Sequence, residues 1–399
     1  TKLIGNNTLQ IFNENFFKDE ANVMLNWEVI INGKKVQAGI VKSINLGPQQ
    51  TISITIPVKP ISNGEAFLNL TYQLKQAEPL LPAGHVVATE QLKLVGEFKN
   101  DLSLKANGKL SNNDDGHLIT ISSALAKIVF DKQSGWMKSY IIKGKEMLDG
   151  EYGLKPNFWR APNDNDFGAG LQTKLKKWKI AVTGSKLTTF SAALQDNITT
   201  VKALYTMPDV AATLSVFYKV NAAGEILISQ KLMADTNQKT DILPRFGMQW
   251  VLPKGFEDIQ YYGRGPFENY QDRNFSANVG LYKQTVTSQY FHYVTPQETG
   301  NKTGIRWFKI MDAKGNGLQI TSDVELSMSA LHYFDSDLDD GDSRHQRHAT
   351  DLIPRTQTQL NIDYKQMGVG GIDSWRSRPM VKYQIPFANY QFTYLVKPF

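Results

Sequence analysis

Apolar residues at every second position, in short runs repeated along the length, constrain this chain more than any other feature. In "LNWEVIING" (25–33), Leu25, Trp27, Val29 and Ile31 fall on one side, with Asn26 and Glu28 on the other. A period of two is that of a strand with one buried face. The Asn32-Gly33 pair that follows has the residue types a two-residue hairpin needs. "TISITI" repeats the pattern through Ile52, Ile54 and Ile56, and "AFLNLTYQL" through Leu68, Leu70, Tyr72 and Leu74. Several such strands within about 100 residues, with no helical period between them, predict an immunoglobulin-like β-sandwich.

A stretch rich in Asn, Asp, Gly and Lys follows, and residues 101–115 read as a linker or crossing segment. Strand patterns then resume over 116–399, in "AKIVFD", "ATLSVFYKV", "EILISQKLM", "FGMQWVL" and "NYQFTYLV". So many strands predict one large antiparallel sandwich, so the fold class is all-β. One helix is expected, in "AGLQTKLKKWKI", where Leu171, Leu175 and Trp178 share a face. The strand–helix alternation of a (β/α)₈ barrel is absent.

Composition narrows the function classes. The chain has 399 residues, 44 basic and 38 acidic, and its densest basic stretch is the short "KLKKWK". That scatter argues against nucleic-acid binding. There is no cysteine, which excludes disulfides, thiolate metal sites and a Cys nucleophile. No run of about 18 apolar residues is present, so no membrane span is expected. Neither compartment nor oligomeric state is indicated. The chain begins at Thr1 without an initiator Met and reads as a piece of something larger.

Three stretches and a few single residues carry candidate chemistry. "MGVGGIDSW" (367–375) invites a phosphate-loop reading, but lacks the GxGxxG spacing and a following helix. A tight turn with Trp375 in the core is the plain alternative. "FWRAPNDNDFGAG" (158–170) is either a loop held by Asx turns and an Arg–carboxylate pair or a site for hydroxyl groups. "DSDLDDGD" (335–342) has Asp335, Asp337 and Asp339 at calcium-loop positions. However, Asp340 stands where Gly is needed and Gln346 where Glu is. An exposed acidic loop is expected there. His345 and His348 lack a zinc spacing, leaving no metal site, while Glu268 and Glu298 sit in polar Gly/Pro-punctuated turns.

Taken together, "RAPNDNDFG" (160–168), "YYGRGPFENYQDR" (261–273) with "YVTPQETG" (293–300), and "MGVGGIDSW" resemble the C-terminal half of family 2 glycoside hydrolases, above all the large microbial β-galactosidases. "NWEVIINGKKVQAG" and "AGHVVATEQLKL" resemble the immunoglobulin-like domain after the barrel in those enzymes. The resemblance implies such a domain over 1–100. Over 116–399 it implies a galactose-mutarotase-like β-supersandwich, the β-galactosidase small chain. It also implies that the two carboxylates of a retaining hydrolase, about 5 to 5.5 Å apart, belong to a barrel this chain lacks. The chain would then be a non-catalytic part of a β-galactosidase, inactive by itself. Its partners would be a galactoside and the barrel of its own full-length chain. No cofactor is expected in this piece, the magnesium and sodium of the parent family lying elsewhere.

For residues, the resemblance implies that Trp375 forms an aromatic wall beside the substrate, with Asp373 and Ser374 on the substrate side. Ile372 stands where the family often has Asp, and Arg376 and Arg378 replace small residues. Arg160, Asp164, Asn165, Asp166 and Gly168 would form a loop at the active-site mouth, Gly168 at a hinge-like position. Two other readings stay open: a free-standing sugar-binding module, and an aldose 1-epimerase using His292 and Glu298 as acid and base.

Overall fold

The computed structural model describes residues 1–5, 7–373 and 375–399. Strands dominate the described residues, and every recorded strand pairing is antiparallel. The chain divides into two compact units. One holds Thr1–Lys99 with Asn278–Leu281, and the other holds Asn100–Ala277 and Tyr282–Phe399.

In the first unit, a three-stranded sheet (Lys2–Ile4, Thr8–Phe12, Thr51–Thr55) accompanies a four-stranded one. The latter runs in the order Lys34–Val41, Val23–Ile31, Ala66–Leu74, Val86–Val95. The alternation holds: Leu25, Trp27, Val29, Leu68, Leu70 and Leu74 are buried and join Leu9, Ile44 and Ile56 in one core. Asn32 and Gly33 take φ of +47° and +80°, the two left-handed positions of the hairpin turn. At the strand's end Ile31 still packs against this core, as the alternation predicts. A register shift lies between Val29 and Ile30, where Ile30 is also buried and Ile31 is half-buried.

The second unit pairs a five-stranded sheet with a twelve-stranded one. Ser111–Asp114 is the edge strand of the smaller sheet, so part of the segment read as a linker is structure. Its backbone pairs with Leu118–Ser122 although its side chains, "SNND", have no apolar pattern. The main path of the large sheet places Leu154–Asn157, Arg245–Leu252, Thr358–Gln366 and Gly317–Leu331 side by side.

Arg245–Leu252 and Thr358–Gln366 position everything that follows, because both of their faces are buried. Phe246, Met248, Trp250, Leu360 and Ile362 join the apolar core. The opposite face carries Arg245, Gln359, Asn361 and Asp363, which are buried without being apolar. A helical stretch lies between the first two strands of this group. Asp164–Ala169, Leu171–Lys174 and Lys177–Ile180 are three short helices, and Leu171, Leu175 and Trp178 are buried as their spacing predicts.

Candidate functional site

The glycine run is a turn clamped from both sides. Gly370 and Gly371 have φ of +77° and +89°, a region side chains disfavour. Gly368 is needed for a different reason: a Cβ there would lie 2.7 Å from Cγ of Asp272 and 3.0 Å from Cβ of Tyr383. Asp272 uses that space. Its carboxylate accepts the N–H groups of Val369 (3.0 Å) and Gly370 (2.9 Å). Consecutive backbone N–H groups of this kind form an anion-binding nest. The run therefore does receive an anion, and the anion is the chain's own side chain.

The carbonyl side is held by the "RAPNDND" stretch. Arg160, which is buried, makes a two-point pair with Asp166 (3.1 and 2.9 Å) and donates to the carbonyls of Met367 and Gly368. Asn163 caps the helix Asp164–Ala169 by accepting from Asp166 N–H at 2.8 Å, while Asp166 accepts from Asn163 N–H. Asn163 and Asn165 both donate to the Val369 carbonyl. The stretch expected to be a loop is thus a capped helix start, with the predicted Arg–carboxylate pair at its base. Asp164 is exposed and pairs with Arg344. Gly168 lies inside the helix with open space beside it. The left-handed glycine of this segment is Gly170, the helix C-cap.

Beyond this clamp the chain carries Trp375, 83% exposed. Its backbone N–H donates to Asp373 (2.8 Å), which also accepts the Ser377 hydroxyl (2.5 Å). These bonds, the hydroxyl first, hold the Asp373 carboxyl below the usual range. Asp373, itself exposed, thus braces the local turn that carries Trp375. Ser374 lies outside the described residues. Arg378 is tied to Asp241 by two 2.7 Å bonds, while Arg376 and Ile372 are exposed.

The other candidates are structural in their surroundings. Glu268 accepts from Tyr293, Arg273, Thr299 and Gly300 N–H. Glu298 is buried 3.0 Å from Nη2 of Arg245. His292 is exposed, its ring T-shaped against Tyr290. The acidic segment 335–342 is more embedded than expected. Asp335 pairs with Arg245, Asp337 with Arg355, Asp340 with Arg347, and Asp339 with Lys179 and the Trp159 indole. Among the described residues no group of three His, Asp or Glu is arranged to hold a metal ion.

Sequence reasoning did not single out Asp272, Asn163 or Arg245. A signal for Asp272 existed: a glycine turn with free N–H groups calls for an acceptor, and the quoted "YYGRGPFENYQDR" contains one.

Residues 122–396 match the family model described as β-galactosidase small chain, and residues 9–95 match β-galactosidase, domain 4. Among curated relatives, the β-galactosidase of Priestia megaterium (strain DSM 319 / IMG 1521) is 30% identical over 378 residues, covering 93% of this chain and 36% of that protein. The β-galactosidase of Vibrio vulnificus (strain YJ016) is 31% identical over 413 residues, covering 98% and 38%. The chain therefore spans little more than a third of the relatives it matches. A solved galactose 1-epimerase from Lactobacillus acidophilus NCFM overlaps 74% of this chain and 99% of its own at 8% identity and a TM-score of 0.42, a likeness too distant to speak to chemistry.

Proposed function

The chain belongs to the β-galactosidase small-chain family, and from that premise we propose that it is the C-terminal, non-catalytic portion of a retaining hydrolase of terminal β-D-galactosides. In this reading residues 1–99 are an immunoglobulin-like sandwich, which their seven strands in two sheets support. The two catalytic carboxylates come from the catalytic barrel of the same longer polypeptide. Glu268 and Glu298, engaged as they are, do not supply them.

The observation that carries the proposal is the contrast at the turn. Backbone groups from 367 to 370 are bonded to Arg160, Asn163, Asn165 and Asp272, and past the exposed residues 371–373 the indole is 83% exposed. A large apolar side chain held out by so much polar structure has a surface to meet. An indole presents a flat face to the C–H groups of a galactoside, a contact comparable to other aromatic packing at about 1 kcal/mol. It would contribute to binding and orientation, with bond cleavage left to the carboxylates.

The test is Trp375→Ala and Trp375→Phe in the complete enzyme. The expected result is a rise in KM of about five-fold for Ala, the equivalent of about 1 kcal/mol, with Phe restoring part of it. Unchanged kinetics in Trp375→Ala would overturn the proposal. Titrating the isolated chain with galactose separates the remaining alternative. Absence of binding fits a site completed by other polypeptide, whereas binding lost on Trp375→Ala would make the chain a sugar-binding module instead.

A further inference from the structure

We propose that Asp272 is a positioning residue for Trp375: its carboxylate, seated on the Val369 and Gly370 N–H groups, sets the angle at which the turn presents the indole. This rests on the substrate-facing reading of Trp375 and adds a residue to it.

Three observations converge on the clamp. Asp272 is the acceptor on the amide side of the turn, with one oxygen on each N–H. Gly368 leaves the room that the carboxylate fills. The neighbouring Gln271 fixes the segment that carries Asp272, donating to the carbonyls of Gln366 and Tyr383 at 2.7 Å each. The carbonyl side is held separately by Arg160, Asn163 and Asn165. With two N–H groups on one rigid acceptor, the peptide planes at 369 and 370 cannot rotate independently. Gly370 and Gly371, the residues freest to rotate, come next, so without the acceptor the turn would sample other angles. The indole five residues downstream would then spread over several orientations, and a packing contact made in one orientation would be diluted by the others.

The chain has seven tryptophans, which 5-fluorotryptophan labelling resolves by ¹⁹F NMR, Trp375→Phe assigning the resonance of interest. Asp272→Asn keeps size but sets an amide NH₂ against one of the two N–H groups. The expected result is a shift or broadening of the Trp375 resonance with the other six unmoved. Gly368→Ala, which changes no polar group, should do the same by displacing the carboxylate. A Trp375 resonance unmoved in both variants would overturn the proposal. Collapse of all seven resonances in both would overturn it too, by making the clamp a general folding element.

In the complete enzyme, Asp272→Asn should raise KM by most of the factor seen for Trp375→Ala, with kcat little changed. The two should not multiply in the double variant. A purely structural role would lower the active fraction, hence kcat, and multiply. If Trp375→Ala leaves kinetics unchanged while the ¹⁹F shift occurs, the substrate-facing reading fails and the clamp itself stands.

Discussion

Arg245 has no exposed surface, and three carboxylates surround it. Glu298 and Asp335 lie 3.0 Å from its terminal nitrogens, and Asp363 lies 3.2 Å from Nε. One guanidinium faces two buried carboxylates, Glu298 and Asp363, and the partly exposed Asp335, and the geometry shows which of the buried two gives way. The Asp363 oxygens, though close to Nε, make no aligned hydrogen bond, and one of them occupies the space a Cβ on Gly247 would need. Burial pushes the Asp363 carboxyl up to about 8, with Glu298 and Asp335 adding to the rise and Arg245 opposing it. The folded protein thus keeps a proton that the unfolded chain, with a carboxyl pKa of about 4, releases. Stability from this group is fully present below about pH 4 and is lost as the pH rises through 8, at up to about 1.4 kcal/mol per pH unit. Asp363→Asn should remove that slope between pH 5.5 and 8 in urea titrations, relative to the parent. Equal slopes in the two proteins would refute it. Arg245→Met, leaving the buried Glu298 and the partly exposed Asp335 without their cation, should lose about 3–5 kcal/mol.

At the scale of elements, the helix Asp164–Ala169 depends on one side chain for two tasks. Asn163 caps its N-terminus and also donates to the Val369 carbonyl at 3.2 Å. Asn163→Ala should therefore lose more than the roughly 1 kcal/mol of an ordinary cap. Thermal melts compared with those of Asn163→Asp, which keeps the cap and not the amide donor, would divide the two contributions. This element also marks the limit of what the sequence discloses. Leu171, Leu175 and Trp178 announce a buried face because burial repeats at helical spacing, and Leu25, Trp27 and Val29 announce a strand face in the same way. "PNDND" has no repeating burial, so only its capping residues could mark it, and Asn and Asp serve loops equally well. Asp272 and the glycine turn lie nearly a hundred positions apart, and nothing local to either fixes their pairing. The strand Ser111–Asp114 is recruited by its backbone, which leaves no trace in side-chain pattern.

Across the whole chain, apolar burial is organised into separate cores that respect the division into two units. The core of the first unit draws its buried members from Leu9 through Leu74, and the main core of the second from Leu110 through Val396. Trp27 is central to the first. It faces Gly39 across the hairpin, in a sheet whose other contributors are mostly Leu, Ile and Val. Removing an indole from such a site costs about 3–5 kcal/mol, since the neighbours close only partly over the space. If each core sustains its own unit, that loss should stay local. Hydrogen exchange of Trp27→Ala should then show faster exchange in Val23–Ile31 and Ala66–Leu74, with Ala212–Val220 and Ile226–Ala234 protected as in the parent. Equal acceleration in both groups of strands would mean that the chain unfolds as one cooperative body, with the two cores acting together.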